Sequence, residues 1–327
     1  MKFSAFSSAL AIVPSLFSWA YGASYSNPLR TNNGGDPNIV YHEGFYYFMS
    51  TNFGDLSMTR ATTLEGLKDG ETKQVWVDTT PSRCCNVWAP EMHYIEGAWH
   101  IYYSAGPNPL GEQRSHVVRG GNSPWDAYSY AGQINTDGWA IDGTILRFPD
   151  QNYFVYSGFQ PNGKQSLYIA PLTSATSIGA AKLLSSPEED WETQGVNDID
   201  VNEGPAAMYH GGNTYLTFSA SYCWTPSYAL GLLTYISGDP TEASSWEKTG
   251  PVFSSANGQF GTGHNSFFLS PDESQIWNVY HSTPGANGNC GANRYSNARV
   301  VDFNADGSPN FGQAPAFGTV LPGPSGE

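Results

Sequence analysis

One hairpin recurs five times along the chain, and that recurrence narrows the fold more than any other feature. Each copy opens on an acidic or polar residue with small neighbours and continues as an apolar strand. It then turns and returns as an aromatic-rich alternating strand ending in small or hydroxyl residues. The first three copies run from Gly35-Asp36-Pro37 through Tyr46-Tyr47-Phe48 to Thr51, from Trp88-Ala89-Pro90-Glu91 through Ile101-Tyr102-Tyr103 to Ala105, and from Ile141-Asp142-Gly143 through Tyr153-Phe154-Val155-Tyr156 to Gly158. The fourth runs from Asn202-Glu203-Gly204-Pro205 through Tyr215-Leu216-Thr217-Phe218 to Ser221, and the fifth from His264-Asn265-Ser266 through Trp277-Asn278-Val279-Tyr280 to Thr283. The turns fall near Gly44, Gly97, Gln151, Gly212 and Ser274, a period of roughly fifty to sixty residues.

Alternation such as Tyr46 and Phe48 against Tyr47 and Met49 is the period-2 signature of a strand buried on both faces. Further strand candidates lie between the copies, among them Ser166–Ala170 and Leu230–Tyr235, which brings each period to about four strands. Four-stranded units repeated radially make a propeller, so the expected fold is all-β, a five-bladed β-propeller. A β-sandwich is the rival all-β fold and does not explain the long regular period. The 36 glycines and 22 prolines fit many turns and disfavour a helical bundle, and the 14% aromatic content excludes disorder as the main state. No linker or composition shift divides residues 23–327, which are expected to form a single catalytic domain.

Lys2 precedes an apolar run from Phe3 to Trp19, and Ala20-Tyr21-Gly22 offers small residues to a signal peptidase, so residues 1–22 are expected to be a cleaved signal peptide. A membrane anchor is disfavoured because the run is short and broken by Pro14, and no later segment approaches a spanning length. The mature protein is expected to be secreted, extracellular, off the membrane and monomeric. With 29 acidic against 14 basic residues and a net charge of −15, it lacks the cations a nucleic-acid binder needs. In an oxidising compartment its four cysteines suggest two disulfides. Adjacent Cys84 and Cys85 either bridge each other or reach separately to Cys223 and Cys290; Cys223 with Cys290 is the favoured pairing. Zinc is poorly supported, because no paired Cys/His spacing of the finger type occurs.

In a propeller the first strand of each blade lines the axis, so residues that open the repeats converge on a shared funnel. Asp36, Asp142 and Glu203 all open repeats. Glycosidic hydrolysis uses such a set: one carboxylic acid protonates the leaving oxygen, and a second carboxylate activates water. A third negative charge nearby keeps the acid protonated by disfavouring its ionisation. As isolated residues these acids could merely cap turns; three at equivalent starts argue for chemistry.

The stretches Gly34-Gly35-Asp36-Pro37, Trp88-Ala89-Pro90-Glu91-Met92-His93-Tyr94, Ile141-Asp142-Gly143-Thr144, Asn202-Glu203-Gly204-Pro205 and Gly263-His264-Asn265-Ser266-Phe267-Phe268 together resemble glycoside hydrolase family 43. The resemblance covers essentially the whole mature chain and implies a five-bladed propeller that inverts the anomeric centre. It implies Asp36 as general base, Glu203 as general acid and Asp142 as the residue that tunes and orients the acid. Glu91 has no catalytic part in that pattern and is read as structural. Trp88 looks like a sugar-facing aromatic, and Arg294 resembles an arginine that contacts the sugar at the cleavage site. His264 is similar to a histidine that, in arabinan-active relatives, lies in the central channel beside water or a calcium ion. No cofactor is required by the resemblance; a structural calcium held by His264 through waters would be an atypical site, because calcium prefers oxygen ligands.

Several stretches, among them Ser221-Tyr222-Cys223-Trp224-Thr225-Pro226 and Asn304-Ala305-Asp306-Gly307-Ser308-Pro309, are most similar to secreted members acting on arabinose. The expected activity is that of an α-L-arabinofuranosidase releasing arabinose from arabinan or arabinose-decorated plant cell-wall polysaccharide. β-Xylosidase or endo-arabinanase action is the alternative within the class, and a non-catalytic carbohydrate-binding propeller the alternative outside it.

Overall fold

The computed structural model describes residues 23–195 and 200–327; the expected signal peptide lies outside the described residues. Five antiparallel sheets follow one another along the chain as the blades of a propeller. Their inner strands are Asn38–His42, Cys85–Ile95, Ala140–Arg147, Asn202–His210 and Phe260–Leu269, and their second strands Phe45–Met49, Ala98–Gly106, Asn152–Phe159, Asn213–Ala220 and Ile276–Thr283. The expected strands around Ser166–Ala170 and Leu230–Tyr235 are the third strands of blades 3 and 4, spanning Gln165–Ser174 and Ala229–Tyr235. Among the described residues the helices are three short 3-10 turns, and no helix is long and apolar enough to cross a membrane.

The alternation of the second strands explains why blades stack in a ring. In blade 1, Tyr47 and Met49 pack with Val87, Ile101 and Tyr103 of blade 2, while Tyr46 and Phe48 pack with Phe268, Trp277 and Val279 of blade 5. Blade 2 divides likewise: Tyr103 faces blade 1, and Tyr102 joins Phe154 and Tyr156 of blade 3. One strand therefore serves two cores, and five blades enclose five interblade clusters. Each large side chain moved out of water there contributes about 1.5–3 kcal/mol, so the wedges between blades carry most of the hydrophobic stabilisation.

Blade 5 has three strands of its own rather than four, Tyr295–Val300 being the third. The N-terminal segment occupies the fourth place: Leu29 N–H donates to Ser296 O at 2.8 Å, and Arg30 bridges Ser296 antiparallel. Asn27 completes the seal, its side chain donating to Ala298 O and accepting from Ala298 N, both at 2.9 Å. Beyond it, Ser24–Ser26 pairs with Val320–Pro322, so the two ends of the ring are laced together. Cys223 bonds Cys290, and Cys84 bonds Cys85, which settles the pairing in favour of a vicinal bridge.

Candidate active site

A backbone device repeats wherever an inner strand begins. Asp36, Ala89, Asp142, Gly204 and His264, one per blade, all have left-handed φ angles between 43° and 58°. In blades 2 to 5 the register slips beside them: Trp88 faces Ser104 but Glu91 faces Tyr102, so three steps on the inner strand oppose two on its partner. The same slip separates Ile141 from Thr144, Glu203 from Ala206 and Gly263 from Ser266. Blade 1 follows suit, with Thr51 N–H donating to Gly35 O and Asn38 facing Met49. Each blade thus carries a one-residue bulge that bends the strand and re-aims a side chain.

The bulges correct one expectation. Asp36 and Asp142 occupy equivalent positions, but Glu203 stands one residue earlier, level with Gly35, Trp88, Ile141 and Gly263. The fourth blade's bulge residue is Gly204, whose positive φ suits glycine and whose added Cβ would lie 3.0 Å from the His264 ring. The fifth bulge brings His264 to the same axis. Its Nδ1 lies 3.1 Å from Asp36 Oδ1 and 3.9 Å from Asp142 Oδ2.

Asp36 is buried among partners that favour its charged form. Arg294 grips it in a fork, Nη1 donating to Oδ1 at 2.6 Å and Nη2 to Oδ2 at 3.1 Å, while the Thr51 hydroxyl donates to Oδ2 at 2.5 Å. Burial alone would raise the carboxyl's pKa, but Arg294, His264, His281 and Thr51 outweigh it and hold the group well below the usual carboxylate range. Arg294 reaches this position because residue 35 is glycine; a Cβ there would lie 2.2 Å from the guanidinium carbon.

Glu203 and Asp142 are pushed the opposite way. Burial raises the Glu203 pKa and nearby Asp36 adds to it, against the lowering influence of His264, Tyr228 and Gln165. Tyr228 Oη donates to its Oε1 at 2.8 Å and Gln165 Nε2 to its Oε2 at 2.9 Å, so both oxygens are aimed. Burial likewise raises the Asp142 pKa, opposed by His264 and reinforced by Glu203 and Asp36. Asp142 Oδ2 accepts the Gly204 N–H at 3.2 Å, which ties it to the backbone immediately after Glu203. Burial would make His264 a weaker base, but three facing carboxylates outweigh that and raise its pKa.

The sequence-based candidates fall into two groups. Asp36, Asp142, Glu203, His264 and Arg294 form one contiguous cluster. Trp88 is half-buried beside it, one residue before Ala89, whose N–H donates to the same Thr51 hydroxyl that holds Asp36. Glu91 lies farther along its inner strand, paired with His93 at 2.8 Å, in the wall of an axial cavity of about 580 Å³ that also includes Asn38, Arg147 and Tyr209. Thr51, Gln165, Tyr228 and His281 were missed by sequence reasoning. Aligning the five hairpins on their bulges would have shown Thr51, Ser104, Ser157, Ser219 and His281 as one column with one odd member.

Ligand-capable atoms of Asp142, Glu203 and His264 all lie within 4.8 Å of one another, a spacing able to hold a cation. The donor chemistry does not suit calcium bound directly there. One donor is an imidazole whose Nδ1 faces Asp36, and the set supplies fewer oxygens than calcium takes.

Comparison with known proteins gives the cluster a context. The chain is 35% identical over 317 residues to an extracellular exo-α-(1→5)-L-arabinofuranosidase of Streptomyces avermitilis, with 91% of this chain and 65% of that protein covered. It is 34% identical over 334 residues to α-L-arabinofuranosidase 43 of Humicola insolens, covering 95% of this chain and 68% of the relative. The chain therefore spans about two thirds of the length of these relatives. The crystal structure of an α-L-arabinofuranosidase from Lactobacillus brevis superposes with a TM-score of 0.82 at 31% identity, covering 90% of this chain and 98% of that one. The family model described as glycosyl hydrolases family 43 matches residues 25–309, from the N-terminal seal into the last loops, and the chain belongs to that family.

Proposed function

We propose that the protein is an inverting α-L-arabinofuranosidase that releases arabinose from arabinan or arabinose-decorated plant polysaccharide. The observation that carries this is a pair of carboxyl groups pushed in opposite directions by their surroundings: Asp36 toward the charged form and Glu203 toward the neutral one. Such divergence supports Asp36 as the base and a raised carboxyl as the acid; Asp142 is raised as well, and the Tyr228 and Gln165 hydrogen bonds that aim both oxygens of Glu203 favour Glu203 in that role. Asp36 takes a proton from water, which attacks the anomeric carbon, while Glu203 gives its proton to the departing glycosidic oxygen. Asp142 orients the acid through the Gly204 N–H and adds a carboxyl to its electrostatic surroundings. Arg294 keeps Asp36 ionised and aimed, and Trp88 offers an apolar ring to the sugar.

Arabinose is favoured over xylose because relatives named arabinofuranosidases match at 30–35% identity over most of the chain. Relatives named probable arabinan endo-1,5-α-L-arabinosidases match at 25–26% over 42–62% of it, which favours exo action. Secretion and a monomeric state complete the proposal. No metal enters the steps above; with His264 Nδ1 facing Asp36, a calcium ion would have to be held through waters by the other ring nitrogen of His264.

The test is Glu203→Gln. Turnover of an unactivated arabinoside is expected to fall at least about a hundredfold, with sugar binding and far-UV circular dichroism retained. Unchanged turnover, or wild-type protein that releases no sugar from arabinan, xylan or aryl glycosides, would overturn the proposal.

A further inference from the structure

On the second strand of every blade, or in blade 1 two residues past its end, one residue faces the position just before the bulge. In four blades it is a hydroxyl residue: Thr51, Ser104, Ser157 and Ser219. These hydroxyls reach the next blade's inner strand. Thr51 accepts the Ala89 N–H at 2.8 Å, Ser104 the Asp142 N–H at 3.0 Å and Ser219 the His264 N–H at 2.6 Å, while Ser157 donates to Asn202 O at 2.8 Å. Where blade 5 meets blade 1 the residue is His281, whose Nδ1 accepts the Asp36 N–H at 3.2 Å. A serine would satisfy that backbone group, as it does in blades 3 and 5, so the imidazole does something besides.

What it adds is a flat surface. His281 is fully buried, and its ring stacks on Tyr228 with centroids 5.5 Å apart and planes 12° from parallel. Burial, and then Arg294, push the His281 pKa far down, so the ring is neutral, with its proton on Nε2 while Nδ1 accepts from Asp36. Tyr228 fits its slot because residue 263, the cross-strand partner of His281, is glycine; a Cβ there would lie 2.5 Å from the tyrosine ring. The Tyr228 hydroxyl in turn donates to Glu203 Oε1 at 2.8 Å. A rigid path thus runs from the backbone of Asp36 through two stacked rings to the carboxyl of Glu203, crossing from blade 1 through blade 5 to blade 4.

We propose that His281 and Tyr228 form a positioning brace that fixes the distance between the base and the acid and aims the acid's proton. This rests on the roles proposed above for Asp36 and Glu203. Neither ring touches the reacting atoms; both act through the residues they hold. Besides Tyr228 itself, the charged and titratable groups facing Glu203 are His264, Asp36, Asp142 and Tyr222, and changing Tyr228 or His281 removes none of these four. Loss of the Tyr228 donor makes the Glu203 anion less favourable, so the acid's pKa rises and the alkaline limb of the kcat/KM profile moves to higher pH.

The experiment compares Tyr228→Phe, His281→Ser and Glu203→Gln on aryl α-L-arabinofuranosides with good and poor leaving groups, across pH and alongside melting temperatures. Tyr228→Phe keeps the stack and loses the hydrogen bond. It should shift the alkaline limb up by about one pH unit and cut kcat about tenfold or more on the poor leaving group, with KM and the acidic limb little changed. His281→Ser keeps an acceptor for Asp36 and loses the stack; it should shift the same limb and lower kcat on both substrates. If His281→Ser fails to fold, Tyr228→Phe alone decides. A wild-type pH profile and kcat in Tyr228→Phe, with Glu203→Gln inactive on the poor leaving group, would overturn the brace and leave the acid assignment standing. An active Glu203→Gln would overturn the underlying assignment instead.

Discussion

Arg294 and Asp36 set the pH behaviour of the site from one side. Because Asp36 is held below the usual carboxylate range, it is ionised wherever the protein is folded at mildly acidic pH. Replacing Arg294 by Gln removes the largest stabiliser of that charge, so the acidic limb of kcat/KM should move upward and the maximum should fall about a hundredfold, measured as a pH–rate profile. Glu203 carries the opposite sign. Its folded pKa is raised, so the folded state is penalised as pH climbs above the ordinary carboxyl value of about 4.3. Glu203→Gln should therefore raise the melting temperature at pH 7 and leave it nearly unchanged below pH 4; an equal gain at both would contradict a raised acid. The acids themselves were legible in the sequence because they open repeats. The offset of Glu203 was not, since a bulge inserts one residue without altering the local pattern of small and acidic side chains.

At the scale of the element, the bulge is the working part. It lets strands that otherwise alternate between two interblade cores turn a chosen side chain to the axis, and the glycines beside it make room. Gly35→Ala places a Cβ against the Arg294 guanidinium, which must leave Asp36 or displace the strand. Activity should fall at least about tenfold with a modest loss of melting temperature, whereas Gly44→Ala, at a turn whose added Cβ meets no atom within 4 Å, should cost stability through its positive φ and spare activity. The strands were readable from the alternation of Tyr46, Tyr47, Phe48 and Met49, because burial on two faces leaves a period of two in the residues themselves. Tyr228 and His281 were not readable, because a tyrosine in a loop and a histidine in a strand look like ordinary packing until the ring of blades brings them together.

The whole molecule is a closed ring in which the proposed acid, Glu203, and the proposed base, Asp36, come from blades 4 and 1, with blade 5 between them. Their geometry therefore depends on how blade 5 is sealed. Asn27, with two hydrogen bonds to Ala298, is part of that seal, and Asn27→Ala should lower the melting temperature by several degrees, about 1–3 kcal/mol of lost buried hydrogen bonding. The Cys223–Cys290 bond ties the loop before Tyr228 to the loop before Arg294, joining the segments that carry the partners of acid and base. Repeat number and ring closure follow from the five hairpins and could be read early; the use of the N-terminal segment as the missing strand could not, since Leu29-Arg30 carries no strand pattern of its own. In the proposed mechanism Asp36 and Glu203 act from opposite sides of a sugar held at the axis, with water delivered by the base. Proton NMR of the first product released from an aryl α-L-arabinofuranoside decides this: inversion gives β-L-arabinofuranose first, with the α-anomer appearing only by mutarotation, whereas α-anomer formed first, or no arabinose at all, would rule the mechanism out.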